Sequence, residues 1–465
     1  MNVPWGSGRF ERVLVYGLGL SGRAAARLLL DRGVTVIGVD EKPEDKLDLG
    51  DLAGRIEVRA GEAPGDLFAP VDGVVVSPGV PMDRPLLEDA RRRGLPVIAE
   101  VELAFPFLDG TVVAITGSNG KSTTTALTGD MLRAAGHQVE VCGNIGEPLA
   151  GLVDGSPGRV FVVELSSFQI EGIVTFKPQA AALLNISEDH LDRYSSLAEY
   201  AGAKKRLFRD QDASGIAVLN GDDPETLDVT TRARRRLFSR RGRVADGCWA
   251  IDNRVVIEVA PDGSETELFA ASDVPLAGVQ NLENAMAAAL LARAVGCEPA
   301  ALRAALRGFQ GLPHRMQRVG ECDGVVWYDD SKGTNPAATA KSLEGFADGS
   351  VHLILGGRNK GADLGLLTPL VRQKARRVYL IGEAADEFRQ ALEGVVPLEG
   401  SETMERAVRA AAGDVRTGEA VVLSPACASF DQFRNFVHRG ESFQALVRQI
   451  VLQKEGGPDG EEARL

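Results

Sequence analysis

Short runs rich in β-branched, mostly apolar residues alternate with helix-period segments along the chain. Near the N-terminus, Arg12–Tyr16 and Val34–Val39 read as strands, with Gly22–Leu30 between them as a helix. Val74–Ser77 continues the strand pattern and Arg84–Arg93 the helical one. Continuous apolar runs belong to strands covered on both faces, as in parallel sheets. Strands alternating with helices predict an α/β fold.

The pattern breaks twice, at Phe105–Gly110, where Pro106 intervenes, and at Gly311-Leu-Pro313. Between the breaks, Thr111–Ile115, Val160–Val163, Ala180–Leu184 and Ile216–Leu219 are predicted strands. Lys121–Arg133 and Asn281–Ala294 are predicted helices. Arg232–Arg243 is strongly basic and is expected as a solvated excursion between two strands. Beyond the second break, Val325–Tyr328, His352–Leu355, Val378–Ile381 and Ala420–Leu423 predict a third α/β unit. Three units suit 465 residues at about 150 per domain. The expected domains are 1–103, 104–311 and 312–465, with flexible connections near Pro106 and Gly311.

Composition narrows the class. Hydrophobic residues make up 44% and charged residues 25%, which excludes a disordered or fibrous chain. A net charge of −13 repels nucleic acid and anionic lipid at long range, so no nucleic-acid partner is expected. No apolar run approaches the ~20 residues of a membrane span, so no membrane insertion is expected. Five cysteines without a CxxC predict free thiols in a reducing compartment, and a cytoplasmic protein is expected.

Thr116-Gly-Ser-Asn-Gly-Lys-Ser-Thr123 follows a predicted strand and opens a predicted helix, the setting of a phosphate loop. Gly117 and Gly120 let backbone N–H groups close around phosphate oxygens, and the helix N-terminus favours negative charge. Lys121 is suited to the outer phosphates and Ser122 to Mg²⁺. The first glycine of the eight-residue consensus is replaced by Ile115. Nucleoside triphosphate binding is the expectation.

Gly17-x-Gly19-x-x-Gly22, with Asp40 ending the next strand, fits a diphosphate-binding loop. NAD, FAD and a nucleotide-sugar all carry such a group. Ser77-Pro78-Gly79 ends a later strand, either as a plain turn or as part of the same site. Glu164 ends a buried strand and is a candidate Mg²⁺ ligand. His190, among Glu188, Asp189 and Asp192, suggests a metal-adjacent loop, with Lys204 on the following helix. In the third unit, Asp329–Asn335, Leu353–Gly361 and Leu423–Ser429 follow strands and suggest a second anion site.

The segments TGSNGKSTTT, GNIG, ELSSFQ, NISEDHLDRY, LPHR, DDSKGTN, LGGRNKGAD and LSPACASFDQFRNF together resemble the Mur ligase family, from about Val13 to Phe443. ELSSFQ, the NxxEDHxDRY pattern and SPACASFDQF point to its D-glutamate-adding branch. The resemblance implies a Rossmann-like N-terminal domain, a central P-loop ATPase-type domain and a Rossmann-like C-terminal domain. It implies a cytoplasmic, monomeric enzyme of peptidoglycan synthesis that uses ATP and Mg²⁺. The implied reaction adds D-glutamate to UDP-N-acetylmuramoyl-L-alanine through an acyl phosphate, releasing ADP and phosphate.

The same resemblance implies roles for single residues. Gly19, Leu20, Ser21, Asp40, Glu41, Ser77, Gly79, Asn144 and Ser166 would face the UDP substrate. Gly117, Ser118, Asn119, Gly120, Lys121, Ser122, Thr123, Asn281, Asn284, Arg315 and Asp330 would hold ATP. Ser122, Glu164, His190 and Lys204 would serve Mg²⁺, Lys204 as a carbamate, which turns a cation into an anionic ligand. Lys332, Thr334, Lys360, Ser429 and Phe436 would hold D-glutamate, and the catalytic set would be Lys121, Glu164, His190, Lys204 and Lys332. Two departures stand out. Gln280 occupies a position where many relatives carry His, and Lys205 adjoins Lys204, although the spacing from Tyr200 favours Lys204. Rival readings are another Mur ligase or a folylpolyglutamate synthase, an NAD-dependent oxidoreductase, and a non-catalytic ATP-binding regulator. The oxidoreductase leaves the phosphate loop unexplained.

Overall fold

The computed structural model describes residues 10–61, 71–189, 193–276, 278–359 and 361–455. The described chain forms three sheets in two compact units. The first unit carries the five- and nine-stranded sheets and the second the six-stranded sheet.

The N-terminal sheet contains β1 (Arg12–Tyr16), β2 (Thr35–Asp40), β3 (Glu57–Ala60), β4 (Gly73–Val76) and β5 (Val97–Ala99). Its order is β3-β2-β1-β4-β5, parallel throughout. The strand order reverses between β1 and β4, and ligands of such sheets bind at the carboxyl ends there. That point holds Gly17 on one side and Ser77 on the other.

The central sheet contains β6 (Gly110–Thr116), β7 (Val139–Gly143), β8 (Arg159–Glu164), β9 (Ala180–Leu183), β10 (Ile216–Asn220), β11 (Arg234–Ser239), β12 (Gly247–Ile251), β13 (Val255–Val259) and β14 (Glu265–Ala270). The order is β14-β13-β12-β11-β10-β9-β6-β8-β7, with the β12–β13 and β13–β14 pairs antiparallel. β6, with Val112 to Ile115 buried, sits between β8 and β9 and carries the phosphate loop at its end.

The basic segment Arg232–Arg243 is not a solvated excursion. It contains β11, paired in parallel with β10 and β12. Its arginines tolerate the sheet because each has a partner. Buried Arg236 is bonded to Glu258 at 2.6 Å and Asp246 at 3.2 Å, while Arg234 binds Asp246 at 2.6 Å. A buried guanidinium survives only when paired in this way.

The first break is likewise no loose connection. Phe105–Phe107 is one 3₁₀ turn. Phe105 packs on Phe176 with ring centroids 4.9 Å apart, and the Arg32 guanidinium lies 4.1 Å over Phe107. The preceding short helix, Glu100–Ala104, buries two carboxylates. Glu102 accepts bonds from the backbone N–H groups of Val174, Thr175 and Phe176 and from the Thr175 hydroxyl, at 2.6–2.9 Å. Glu100 Oε1 accepts from Ala150 N at 2.5 Å. One hydrophobic cluster, including Val13, Ala25, Val101, Leu103, Val112, Phe161 and Phe176, runs through both sheets' packing. Burial of these apolar side chains stabilises each by about 1.5–3 kcal/mol.

The third sheet contains β15 (Gln317–Cys322), β16 (Val325–Asp329), β17 (Val351–Gly356), β18 (Ala375–Ile381), β19 (Leu398–Glu402) and β20 (Ala420–Leu423). Its order is β15-β16-β20-β17-β18-β19, with only β15 antiparallel to its neighbour. Strand β20 therefore returns between β16 and β17, bringing the loops after these strands together. The C-terminal helix Phe436–Glu455 packs against β15 and β16.

Candidate active site

In the N-terminal sheet the glycine loop requires its glycines. Gly17 has φ +88°, and a Cβ on Gly22 would lie 1.8 Å from Gly17 O. Gly19 caps the helix Leu20–Asp31, whose first residue Leu20 is exposed, and Ser21 lies in the same turn. Asp40 braces the loop: its carboxylate accepts from Leu18 N at 2.7 Å and Lys42 N at 2.9 Å. The Ser77 hydroxyl donates to Gly17 O at 2.7 Å, so it ties the two strand ends together. A Cβ on Gly79 would meet nothing within 4 Å. Glu41 pairs with Arg84 at 3.0 Å and accepts from Tyr16 Oη at 2.8 Å; burial, with that bond to Glu41, pushes the Tyr16 hydroxyl up to about 12 against the opposing charge of Arg84.

The phosphate loop runs from β6 into the helix Lys121–Ala134. Gly120 has φ +85° and leaves room for Asn284, whose Oδ1 would be 2.2 Å from an added Cβ. Lys121 Nζ donates to the carbonyls of Gly117 at 2.8 Å and Ser118 at 2.7 Å. Ser122 and Thr123 are buried in the first helical turn. The loop is gripped by Asn185, the first residue of the NISEDHLDRY segment, for which the sequence suggested no role of its own. Asn185 Oδ1 accepts from Asn119 N at 2.8 Å, its Nδ2 donates to Asn119 O at 3.1 Å, and its carbonyl accepts from Ser118 N at 2.9 Å.

Glu164 closes β8 and is 1% exposed. Its Oε1 accepts from Asn144 Nδ2 at 2.8 Å, so the GNIG loop and this carboxylate are joined. Its Oε2 is buried without a hydrogen-bond partner among the described residues. A buried carboxylate oxygen left unpaired is costly in isolation and suits a hard divalent cation. Ser166 caps the helix Ser167–Glu171 in a reciprocal capping box with Gln169.

The structure separates the two adjacent lysines. Lys204 is 1% exposed, with Nζ 4.6 Å over the Tyr200 ring, and Tyr200 Oη lies 3.3 Å from Ser118 Oγ. Lys205 instead pairs with Asp228 at 3.0 Å and Glu225 at 3.2 Å. His190 and Lys360 lie outside the described residues. Asn281 and Asn284 are both buried on the helix Val279–Ala294.

In the second unit the loops after β16, β17 and β20 interlock. Arg358 N and Ala428 O are bonded at 2.8 Å, and Ala426 N donates to Gly333 O at 2.8 Å. Arg439, fully buried, fastens two of these loops by donating to Ser331 Oγ, Ser331 O and Cys427 O at 2.9–3.0 Å. Burial lowers its pKa to about 10. Lys332 Nζ lies 4.0 Å over the Phe436 ring, so these two expected partners of one ligand are adjacent. Thr334 is half-buried in the same loop as Lys332, and Ser429 is buried at the end of the β20 loop. Asp330 is bound internally, accepting from Ser342 Oγ and Ser424 Oγ, each at 2.7 Å, and burial raises its carboxyl to about 6. Arg315 is half-buried just after the second break.

Among the described residues, no helix is long and apolar enough to cross a membrane. The five cysteines are free, four of them buried.

Sequence models cover all three sheets. The Mur ligase MurD-like N-terminal domain matches residues 11–99, the Mur ligase middle domain residues 115–292, and the Mur ligase glutamate ligase domain residues 314–427. A UDP-N-acetylmuramoylalanine–D-glutamate ligase from Geotalea uraniireducens is 45% identical over 95% of this chain and 98% of its own length. The enzyme of that name from Acidobacterium capsulatum is 43% identical over 94% of this chain and 96% of its own. The solved pseudomurein peptide ligase type C from Methanothermus fervidus shares the fold, with a TM-score of 0.59 at 18% identity, covering 95% of this chain and 100% of that one. The chain belongs to the Mur ligase family.

Proposed function

We propose that this enzyme adds D-glutamate to UDP-N-acetylmuramoyl-L-alanine with the conversion of ATP to ADP and phosphate, in peptidoglycan synthesis. The observation that carries the reading is the 45% identity, across 95% of the chain, with a D-glutamate-adding ligase.

The N-terminal glycine loop, with Gly19, Leu20, Ser21, Asp40, Glu41, Ser77 and Gly79, receives the UDP group, and Asn144 and Ser166 lie toward the reacting end of the substrate. The loop Gly117–Thr123 holds the triphosphate of ATP, with Asn281 and Asn284 near the base and Arg315 and Asp330 as further contacts. Backbone N–H groups at the start of the helix Lys121–Ala134 face the phosphates, and Lys121 neutralises them. The substrate carboxylate attacks the γ-phosphorus, the bond to the β-phosphate oxygen breaks, and an acyl phosphate and ADP result. Positioning and charge neutralisation carry such a transfer. The amine of D-glutamate, held by Lys332, Thr334, Lys360, Ser429 and Phe436, then attacks the acyl carbon and expels phosphate.

Mg²⁺ fits the residues present, because the unpaired buried Glu164 Oε2 needs a cation. Glu164 and Ser122 would hold one ion, and His190 and Lys204, the latter as a carbamate, would serve a second. Bound there, Mg²⁺ supplies neutralisation of phosphate charge. Lys204 suits the modified role better than Lys205, whose ammonium is already engaged by two carboxylates.

The test is phosphate release with ATP, Mg²⁺ and UDP-N-acetylmuramoyl-L-alanine, with single amino acids as the acceptor. D-Glutamate should be required. Stimulation by L-lysine or diaminopimelate, but not by D-glutamate, would refute the reading.

A further inference from the structure

Beyond the second break, His314 and Met316 hold positive φ angles of +61° and +45°. Such a conformation costs energy in residues other than glycine and persists only when its surroundings impose it. The His314 ring, 5% exposed, is held by a polar cluster. Nδ1 lies 2.7 Å from Asp329 Oδ2. Gln444 Nε2 donates to the same Oδ2 at 2.8 Å and to Gln317 Oε1 at 3.0 Å, and that Oε1 also accepts from His314 N at 3.0 Å. Asp329, fully buried, uses its other oxygen to accept from Ser331 N at 2.9 Å.

The hydrogens can be counted. Gln444 Nε2 directs its two amide hydrogens at Asp329 and Gln317, at 2.8 and 3.0 Å, and lies farther, 3.4 Å, from His314 Nδ1. Asp329 accepts everywhere, so the proton of the His314–Asp329 contact belongs to Nδ1 of the ring.

Phe436, Gly440 and Gln444 recur every four residues and so share one face of the C-terminal helix. A Cβ on Gly440 would lie 2.1 Å from His314 Nδ1 and 2.7 Å from Asp329 Oδ2, so the helix approaches the ring at its backbone. Phe436 meets the same ring edge-on, with centroids 6.2 Å apart. His314 O accepts from Lys332 N at 3.0 Å. His314 thus holds the lysine loop through its carbonyl and the helix turn that carries Phe436 through its ring.

We propose that Asp329, Gly440 and Gln444 are positioning residues for the D-glutamate site. They fix His314, whose ring packs on Phe436 and whose carbonyl holds Lys332 N, and so set how Lys332 and Phe436 meet. The inference rests on the D-glutamate ligase reading and adds residues to it.

Gln444→Leu keeps the bulk of the side chain and removes both donated bonds. Gly440→Ala pushes the ring from its place. Two measurements test the inference. The first is the tautomer of His314 by nitrogen–proton NMR correlation, with its signals assigned by their loss in His314→Gln. The second is steady-state phosphate release with each substrate varied. In the wild type His314 should carry its proton on Nδ1, and Gln444→Leu should shift its signals. Loss of a bond to a charged group predicts a KM for D-glutamate raised about tenfold, with kcat changed less. The KM values for ATP and the UDP substrate should stay within about twofold. An Nε2-protonated His314 in the wild type overturns the cluster, whatever the activity. A confirmed cluster with an unaltered KM for D-glutamate in both variants overturns the positioning role alone. A wild type that releases phosphate with another amino acid instead removes the functional reading and this inference with it.

Discussion

Glu100 is a buried acid with one satisfied oxygen. Oε1 accepts from Ala150 N, and Oε2 has no partner among the described residues. Desolvation raises its pKa from 4.5 to about 7, against the smaller opposing effect of the Ala150 bond. In the unfolded chain the carboxyl ionises near its ordinary value. Between that value and about 7 the folded state therefore holds a proton that the unfolded state has released, and stability falls as pH rises. Below the ordinary value no penalty exists, and above about 7 it is complete. At about 1.4 kcal/mol per pH unit the full penalty is about 3 kcal/mol. Glu100→Gln keeps the shape and the Ala150 bond but cannot ionise. Urea unfolding followed by tryptophan fluorescence from pH 5 to pH 9 should show wild type and variant converging at the acid end. At the alkaline end the variant should be more stable by about 2–3 kcal/mol. Parallel stability profiles across that range, or a variant that loses its advantage as pH rises, would refute the argument.

Three further outcomes are expected. Gly120→Ala, forced against Asn284 and held at a positive φ, should abolish ATP binding measured by calorimetry, and should lower thermal stability by about 1–2 kcal/mol or more. Glu102→Ala leaves the N–H groups of exposed Val174, half-buried Thr175 and buried Phe176 without their acceptor. At about 1–3 kcal/mol each, less what water recovers, it should destabilise the first unit by several kcal/mol in urea unfolding. Lys204→Ala should reduce D-glutamate-dependent phosphate release at least a hundredfold, as for loss of an electrostatic stabiliser of about 10²–10³. Lys205→Ala should leave the rate within about threefold, since its surface pairs contribute about 0–1 kcal/mol.

What the sequence made legible follows burial. β6, β8, β17 and β20 are buried over most of their length, each contains a continuous apolar run, and they are readable as strands. β3 (Glu57–Ala60) and β19 (Leu398–Glu402) lie at sheet edges, are partly exposed, and carry charges that hide them. β11 was misread for a related reason. Its arginines look solvated in one dimension, and the acids that neutralise them, Asp246 and Glu258, are distant in sequence. The phosphate loop was legible because its glycines and lysine are contiguous. Asn185, which grips that loop, is 66 residues from Asn119, and Gln444 is 115 from Asp329. Asn185 opens the NISEDHLDRY segment, but no local pattern marks its contact with the phosphate loop, and none marks Gln444 at all. The choice between Lys204 and Lys205 likewise needed the structure, because only burial tells them apart.

The cluster shared by the N-terminal and central sheets bears on how such chains can be recombined. The N-terminal sheet looks like an exchangeable cassette that ends at the Phe105–Gly110 break. Yet Glu100, Glu102 and Phe105 plug into sockets around Ala150 and Val174–Phe176, so a cut there would expose apolar surface and strand two carboxylates. A graft that swaps substrate preference must carry those sockets with it. The stretch from Gln310 onward, by contrast, builds a hydrophobic core of its own.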